Sequence, residues 1–171
     1  MPVKKPMNLN HINKLNADEA LEAFLKCCGS HSWARSMVAA RPFSKDSDLL
    51  LAAETAFTSM EKSDWLDAFA AHPKIGDLNS LRQKYGNTKD WAENEQSGVA
   101  GTSSEVLENL AAGNSAYEER FGYIFIVCAT GKSAAEMLEI LNSRVDNDAD
   151  IEFKIAAEEQ KKITRIRLEK I

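Results

Sequence analysis

One continuous apolar run, "YIFIVCA" at residues 123–129, interrupts an otherwise helical pattern in this chain. Elsewhere apolar residues recur three and four positions apart, the spacing that gathers them on one face of a helix. A single strand-like run has no second strand to pair with, and a stable sheet needs several. The run therefore reads as a buried extended piece inside a helical protein. The expectation is an all-α, single-domain helical bundle over residues 1–171, with one short extended segment near 123–129. Residues 1–8 are expected to form a flexible N-terminal tail.

The helices announce themselves by their ends. Asn16 with Glu19 has the spacing of a capping box, after which Leu21, Phe24, Leu25 and Cys28 recur before Gly29 stops the run. Ser30 suits the cap of a helix carrying Trp33, Met37 and Val38, closed by Arg41-Pro42. A third run holds Leu49, Leu50, Ala53, Phe57 and Met60. Ser63 is the expected cap of a fourth, with Trp65, Phe69 and His72 in register. From Gly76 to Gly101 the chain is polar and irregular, with one helical turn expected near residues 80–85. The clearest amphipathic helix runs over residues 103–120, where Leu107, Leu110 and Tyr117, with Phe121 just beyond, share a face. Ser133 starts another, and the last begins near Asp150.

Composition sets the outer limits. The chain has 171 residues, 44% hydrophobic and 27% charged, which suits one ordinary globular domain with a proper core. A net charge of -5 argues against nucleic acid or an anionic membrane as partner, since both need a basic face. No apolar run is long enough to span a bilayer, and "MPVKKPMNLN" has no apolar stretch behind its lysines, so neither a membrane segment nor a secretory signal is expected. Three cysteines, two of them adjacent, make a poor disulfide framework and point to reduced thiols in the cytoplasm. The three histidines are far apart in sequence, and no metal-ligand spacing appears.

Three residues stand out chemically. Pro73 forces the fourth helix to end at His72, where an imidazole serves either as a helix-end cap or as a general acid/base near neutral pH. Glu95, followed by Gln96 in "WAENEQSG", is either a solvated carboxylate or a partner able to hold a histidine tautomer. Arg167 sits at the edge of the apolar stripe of the last helix, where a guanidinium can clamp a planar anion.

The stretches "AHPKIGDL", "WAENEQSG", "NSAYEERFGYIFIVCATGKSAAEML" and "KITRIRL" occur in that order, preceded by "LNADEALEAFLKCCGSHSWARSMVAARPF". Over nearly the whole chain this resembles the OHCU decarboxylase family, and "HPKIGD" resembles its bacterial branch. The resemblance implies decarboxylation of 2-oxo-4-hydroxy-4-carboxy-5-ureidoimidazoline to (S)-allantoin, the last step from urate to allantoin. It implies catalytic roles for His72 and Glu95. It also implies substrate contacts from Pro73, Gln96, Arg167 and the backbone of Phe125, Ile126, Val127, Cys128 and Ala129. It implies a homodimer whose partner is a small-molecule substrate, and no cofactor. One departure is visible: Ala92 stands where many members carry a serine, so any hydrogen bond from that side chain is absent here. Two other readings stay open on the residues alone. One is a cofactor-free enzyme acting on another ureide, and the other a helical binding module without catalysis.

Overall fold

The computed structural model describes residues 5–73, 79, 81 and 100–171. Among these residues there are eight helices and no strand: α1 Leu9–Lys14, α2 Ala17–Cys27, α3 His31–Ala40, α4 Asp46–Thr58, α5 Lys62–Ala70, α6 Ala100–Phe121, α7 Ala134–Arg144 and α8 Ala149–Leu168. No described helix is long and apolar enough to cross a membrane. The chain divides into two compact units. One comprises Met1–His72 with Ala157–Ile171, and the other Pro73–Ala156.

In the first unit the local start signals act as the sequence predicts. The Asn16 side chain accepts from Glu19 N–H at 2.8 Å while the Glu19 carboxylate accepts from Asn16 N–H, closing the capping box of α2. Ser30 Oγ accepts from Trp33 N–H at 3.2 Å and opens α3. The start of α5 differs from expectation. Glu61, not Ser63, is the N-cap, because Asp64 reaches back to accept from Glu61 N–H at 2.9 Å and so begins the helix earlier.

The six-residue α1 has no counterpart in the sequence reading. It is too short to persist alone, and tertiary bonds hold it. Arg41 Nη1 donates to the α1-end carbonyls of Ile12 at 2.9 Å and Leu15 at 2.7 Å. Asn13 exchanges two 2.9 Å bonds with the backbone of Phe43. The flexible tail expected over residues 1–8 does not extend to its last two positions. Met7 N–H donates to Asp46, and Asn8 caps α1 while donating its own N–H to Ile171 O.

Edge-on and stacked aromatic rings form the core of this unit. Phe24 meets Trp33 at 6.1 Å, Trp33 stacks on Phe57 at 5.6 Å, Phe57 stacks on Trp65 at 5.5 Å, and Trp65 leans on Phe69. Pairs of this kind add about 0.5–1.5 kcal/mol each beyond their buried area. Trp33 also satisfies its indole N–H on Ala53 O at 3.2 Å. The row of rings fixes α5, and Gly29 lets the end of α5 come close: a Cβ on Gly29 would lie 2.2 Å from that of Ala71.

In the second unit α6 and α7 pack through Leu107, Leu110 and Tyr117 against Met137 and Leu141, the face predicted for α6. Gly113 permits the close approach, since a Cβ there would come within 2.4 Å of Leu141 Cδ2. Ser133 caps α7 as expected. The apolar run lies between these helices in sequence, and its residues 124–129 are neither helix nor strand. Ile126 and Cys128 are buried while Phe125, Val127 and Ala129 are half-buried, the alternation of an extended chain.

Candidate functional site

His72 lies just past the end of α5. Its N–H donates to Phe69 O at 3.3 Å as the helix closes, and Pro73, which is exposed, prevents another turn. The imidazole is half-buried. Its Nε2 lies 2.6 Å from Oε1 of Gln160, a fully buried residue of α8. Gln160 Nε2 donates to Thr164 Oγ1 at 3.0 Å, and the Thr164 hydroxyl donates to the Gln160 carbonyl one turn back at 2.9 Å. Burial pushes the His72 pKa below the ordinary imidazole value, the Gln160 contact opposes this, and the Arg167 charge pushes it lower again. The ring is therefore neutral at pH 7, able to accept a proton.

Arg167 belongs to the same unit and is partly buried, as its place at the edge of the α8 stripe predicts. It donates from Nη1 to Lys26 O at 3.2 Å, at the carbonyl end of α2 where a cation is favoured. The structure thus brings two of the expected site residues, His72 and Arg167, within electrostatic reach of each other. Beside them Cys27 and Cys28 are buried. Burial raises the Cys27 thiol to about 11 and raises Cys28 too, outweighing the Arg167 charge. Both stay protonated at neutral pH and behave as core residues rather than nucleophiles.

Residues 125–129 belong to the second unit, where a buried charge pair holds them. Arg144 of α7 donates from Nε to the Glu152 carboxylate of α8, with Oε2 at 3.1 Å, and from Nη1 to Ile126 O at 2.7 Å. Its guanidinium lies over the Phe125 ring, 4.7 Å from the centroid. Lys132 Nζ donates to Cys128 O at 2.6 Å. The backbone expected to meet substrate therefore already gives two of its carbonyls to cations of its own unit. Each carbonyl keeps a second lone pair. Glu95, Gln96 and Ala92 lie outside the described residues. Among the described residues no group of three or more His, Cys, Asp or Glu is arranged to hold a metal ion.

Four polar residues were not singled out from sequence: Gln160, Thr164, Arg144 and Glu152. For the first two a signal exists. Residues 160, 164 and 167 recur at helix spacing, so Gln160 and Thr164 share the face of Arg167. A polar pair on a face that also buries Ala156 and Ala157 needs internal partners.

Comparison with known proteins bears on the whole of this arrangement. The chain is 37% identical over 145 residues to the uric acid degradation bifunctional protein TTL of Arabidopsis thaliana, covering 85% of this chain but 45% of that protein. It therefore spans about half the length of that relative. It is 25% identical to the 2-oxo-4-hydroxy-4-carboxy-5-ureidoimidazoline decarboxylase of Haloferax volcanii, covering 95% of this chain and 94% of that one. A crystal structure of an OHCU decarboxylase in the presence of (S)-allantoin matches with a TM-score of 0.69 and 35% identity, over 86% of this chain and 94% of the other. The family model for OHCU decarboxylase matches residues 13–169, and on that match the chain belongs to the OHCU decarboxylase family.

Proposed function

We propose that this protein decarboxylates 2-oxo-4-hydroxy-4-carboxy-5-ureidoimidazoline to (S)-allantoin and carbon dioxide, without a cofactor. The observation that carries this reading is His72. It is a neutral, half-buried imidazole anchored on one nitrogen and placed near a guanidinium, in a chain of this family. In the substrate the departing carboxylate sits on a ring carbon that also bears a hydroxyl. The adjacent ring carbon bears the ureido group and a C=N bond. When the bond to the carboxylate breaks, its electron pair forms a C=C bond between the two ring carbons, and the C=N pair moves to nitrogen, which takes up a proton. The substrate is thus its own electron sink. The resulting enol then loses its hydroxyl proton and gains a proton on the ureido-bearing carbon.

His72 and Glu95 perform this proton management, and delivery to one face gives the S product. Arg167 supplies charge-assisted hydrogen bonds to the substrate. Gln96, Pro73 and the backbone of residues 125–129 complete recognition of the ureido and imidazolone edges, which match N–H and C=O groups. The enzyme acts as a cytoplasmic homodimer. Its three cysteines are buried and none is in a disulfide, which supports a reducing compartment, and two-fold pairing is the commonest assembly among oligomers. Sedimentation at micromolar concentration checks the dimer, and a clean monomer overturns it.

The decisive assay follows circular dichroism while purified protein acts on freshly generated substrate. Protonation of the enol in water favours neither face, so a single enantiomer of allantoin requires the protein. Racemic product formed at the buffer rate would sink the proposal.

A further inference from the structure

The hydrogen bonds around His72 specify more than its position. Thr164 has one hydroxyl proton, and its acceptors are the Gln160 carbonyl at 2.9 Å, the usual bond one turn back along a helix, and the Cys28 sulfur, so in either case it points away from the Gln160 side chain. The Thr164 oxygen is then an acceptor and receives Gln160 Nε2 at 3.0 Å. This sets the orientation of the amide. Its NH₂ faces Thr164, and its Oε1 faces the imidazole at 2.6 Å. An amide oxygen carries no proton. The proton in the contact with His72 therefore sits on Nε2.

We infer that Gln160 is a positioning residue that holds His72 in its Nε2–H tautomer, leaving Nδ1 as the atom that takes up and returns the proton. This deepens, and rests on, the assignment of His72 to proton transfer. A neutral imidazole has a single N–H. With that N–H committed to Gln160, the lone pair is on Nδ1, which among the described residues has no hydrogen-bond partner. The same oxygen accepts equally well from the imidazolium, so Gln160 supports both protonation states of a working acid/base and opposes only the Nδ1–H tautomer. Both Gln160 and Thr164 are fully buried, so water does not compete for either bond. The described groups that bear on the ring's charge are Gln160 and Arg167, both on α8.

The tautomer is directly measurable. The chain holds three histidines, and His11 and His31 are exposed, so they serve as solvent-exposed internal references. Long-range proton–nitrogen correlation spectra of histidine-labelled protein near neutral pH should show His72 protonated at Nε2 alone. A ring protonated at Nδ1, or an even mixture of the two forms, overturns the inference. This result does not depend on which substrate the enzyme takes, so it stands even if turnover of the proposed substrate is absent.

Two variants read the consequence in activity. Gln160→Leu removes the acceptor and should lower kcat by roughly 10- to 100-fold with little change in KM, the scale of losing an orienting partner. Gln160→Glu keeps an acceptor and adds a negative charge. It should retain the tautomer, recover most of the lost kcat and move the acid limb of the pH profile upward by about one to three units. Unchanged kcat and an unchanged acid limb in both variants overturn the positioning role. Should Gln160→Leu fail to fold, the Gln160→Glu profile and the wild-type spectra still decide it.

Discussion

Among the described residues each unit buries a polar network beside a side chain or a stretch of backbone that the proposed function uses, and the two networks are built differently. In the first, Thr164 and Gln160 are neutral and hold a side chain, His72. In the second, Arg144 and Glu152 are charged and hold a stretch of backbone through Ile126 O. A neutral network costs little to desolvate and leaves the held imidazole free to change charge. A buried ion pair is expensive to desolvate but fixes its partner firmly, and it suits a carbonyl that must stay put rather than titrate. On the proposed function, the difference in chemistry follows the difference in task.

The sharpest break in the comparison is at the held groups themselves. His72→Asn should reduce stereoselective turnover by roughly 10²- to 10⁴-fold, the scale of a lost general acid/base, with the helical spectrum intact. Near-wild-type turnover would make His72 a simple helix cap. Glu152→Gln should instead strike stability, by about 3–5 kcal/mol, because it leaves the buried Arg144 without its countercharge. Urea unfolding measures this. Replacing both partners, with Arg144→Met and Glu152→Leu together, should restore most of that loss. If the double variant is as unstable as the single, losing the Arg144 bond to Ile126 O costs as much as leaving the charge unpaired.

The two networks also differ in how they relate to the sequence. Features set within one turn were legible: the caps at Asn16, Ser30 and Ser133, the Leu107, Leu110 and Tyr117 face, and the helix end before Pro73. So was the non-helical run at 123–129, because it is the one continuous apolar run in a chain whose other apolar residues recur at helical spacing. What escaped depends on residues distant in sequence. The short α1 exists because Arg41 and Phe43 come back to it. Arg144 and Glu152 read as ordinary helix-surface charges until packing buries them. Gln160 meets a histidine 88 positions away, and no local pattern encodes that pairing. The sequence offered Glu95 as the residue to hold the His72 tautomer and named nothing to hold Arg167; the partner that meets the ring here, Gln160, was not among the expected residues. Glu95 and Gln96 lie outside the described residues, so their part in the site rests on the family resemblance.

Arg167 tests how far charge reaches into the neutral network. Arg167→Ala should weaken substrate binding by roughly 10- to 150-fold, as expected for about 1.5–3 kcal/mol from a charge-assisted bond. Lysine should recover part of it, lacking the planar fork. The same change removes one cause of the lowered His72 pKa. The ring should then protonate at higher pH, and the acid limb of kcat/KM should move up relative to wild type. Stability follows the same sign. A histidine whose folded pKa is below its unfolded value of about 6.5 contributes stability above that pH, and this is lost as pH falls through the folded pKa. Arg167→Ala should narrow that window. A limb that stays in place while binding weakens would separate Arg167 from His72 electrostatically.

The smallest effect expected is the most informative about the neutral network. Thr164→Val keeps volume and branching but removes the acceptor that orients the Gln160 amide. No charge is stranded, so the loss of stability should be only about 1 kcal/mol, far below that of Glu152→Gln. The consequence should appear in orientation instead. Without Thr164 the amide is free to turn its NH₂ toward His72, which would then present Nε2 as the acceptor and carry its proton on Nδ1. Nitrogen spectra should therefore show the Nδ1–H form appearing beside the Nε2–H form, with kcat falling a few-fold as the competent fraction shrinks and KM holding steady. A single Nε2–H tautomer with unchanged kcat would mean that the His72 contact alone orients the amide, and the network would end at Gln160.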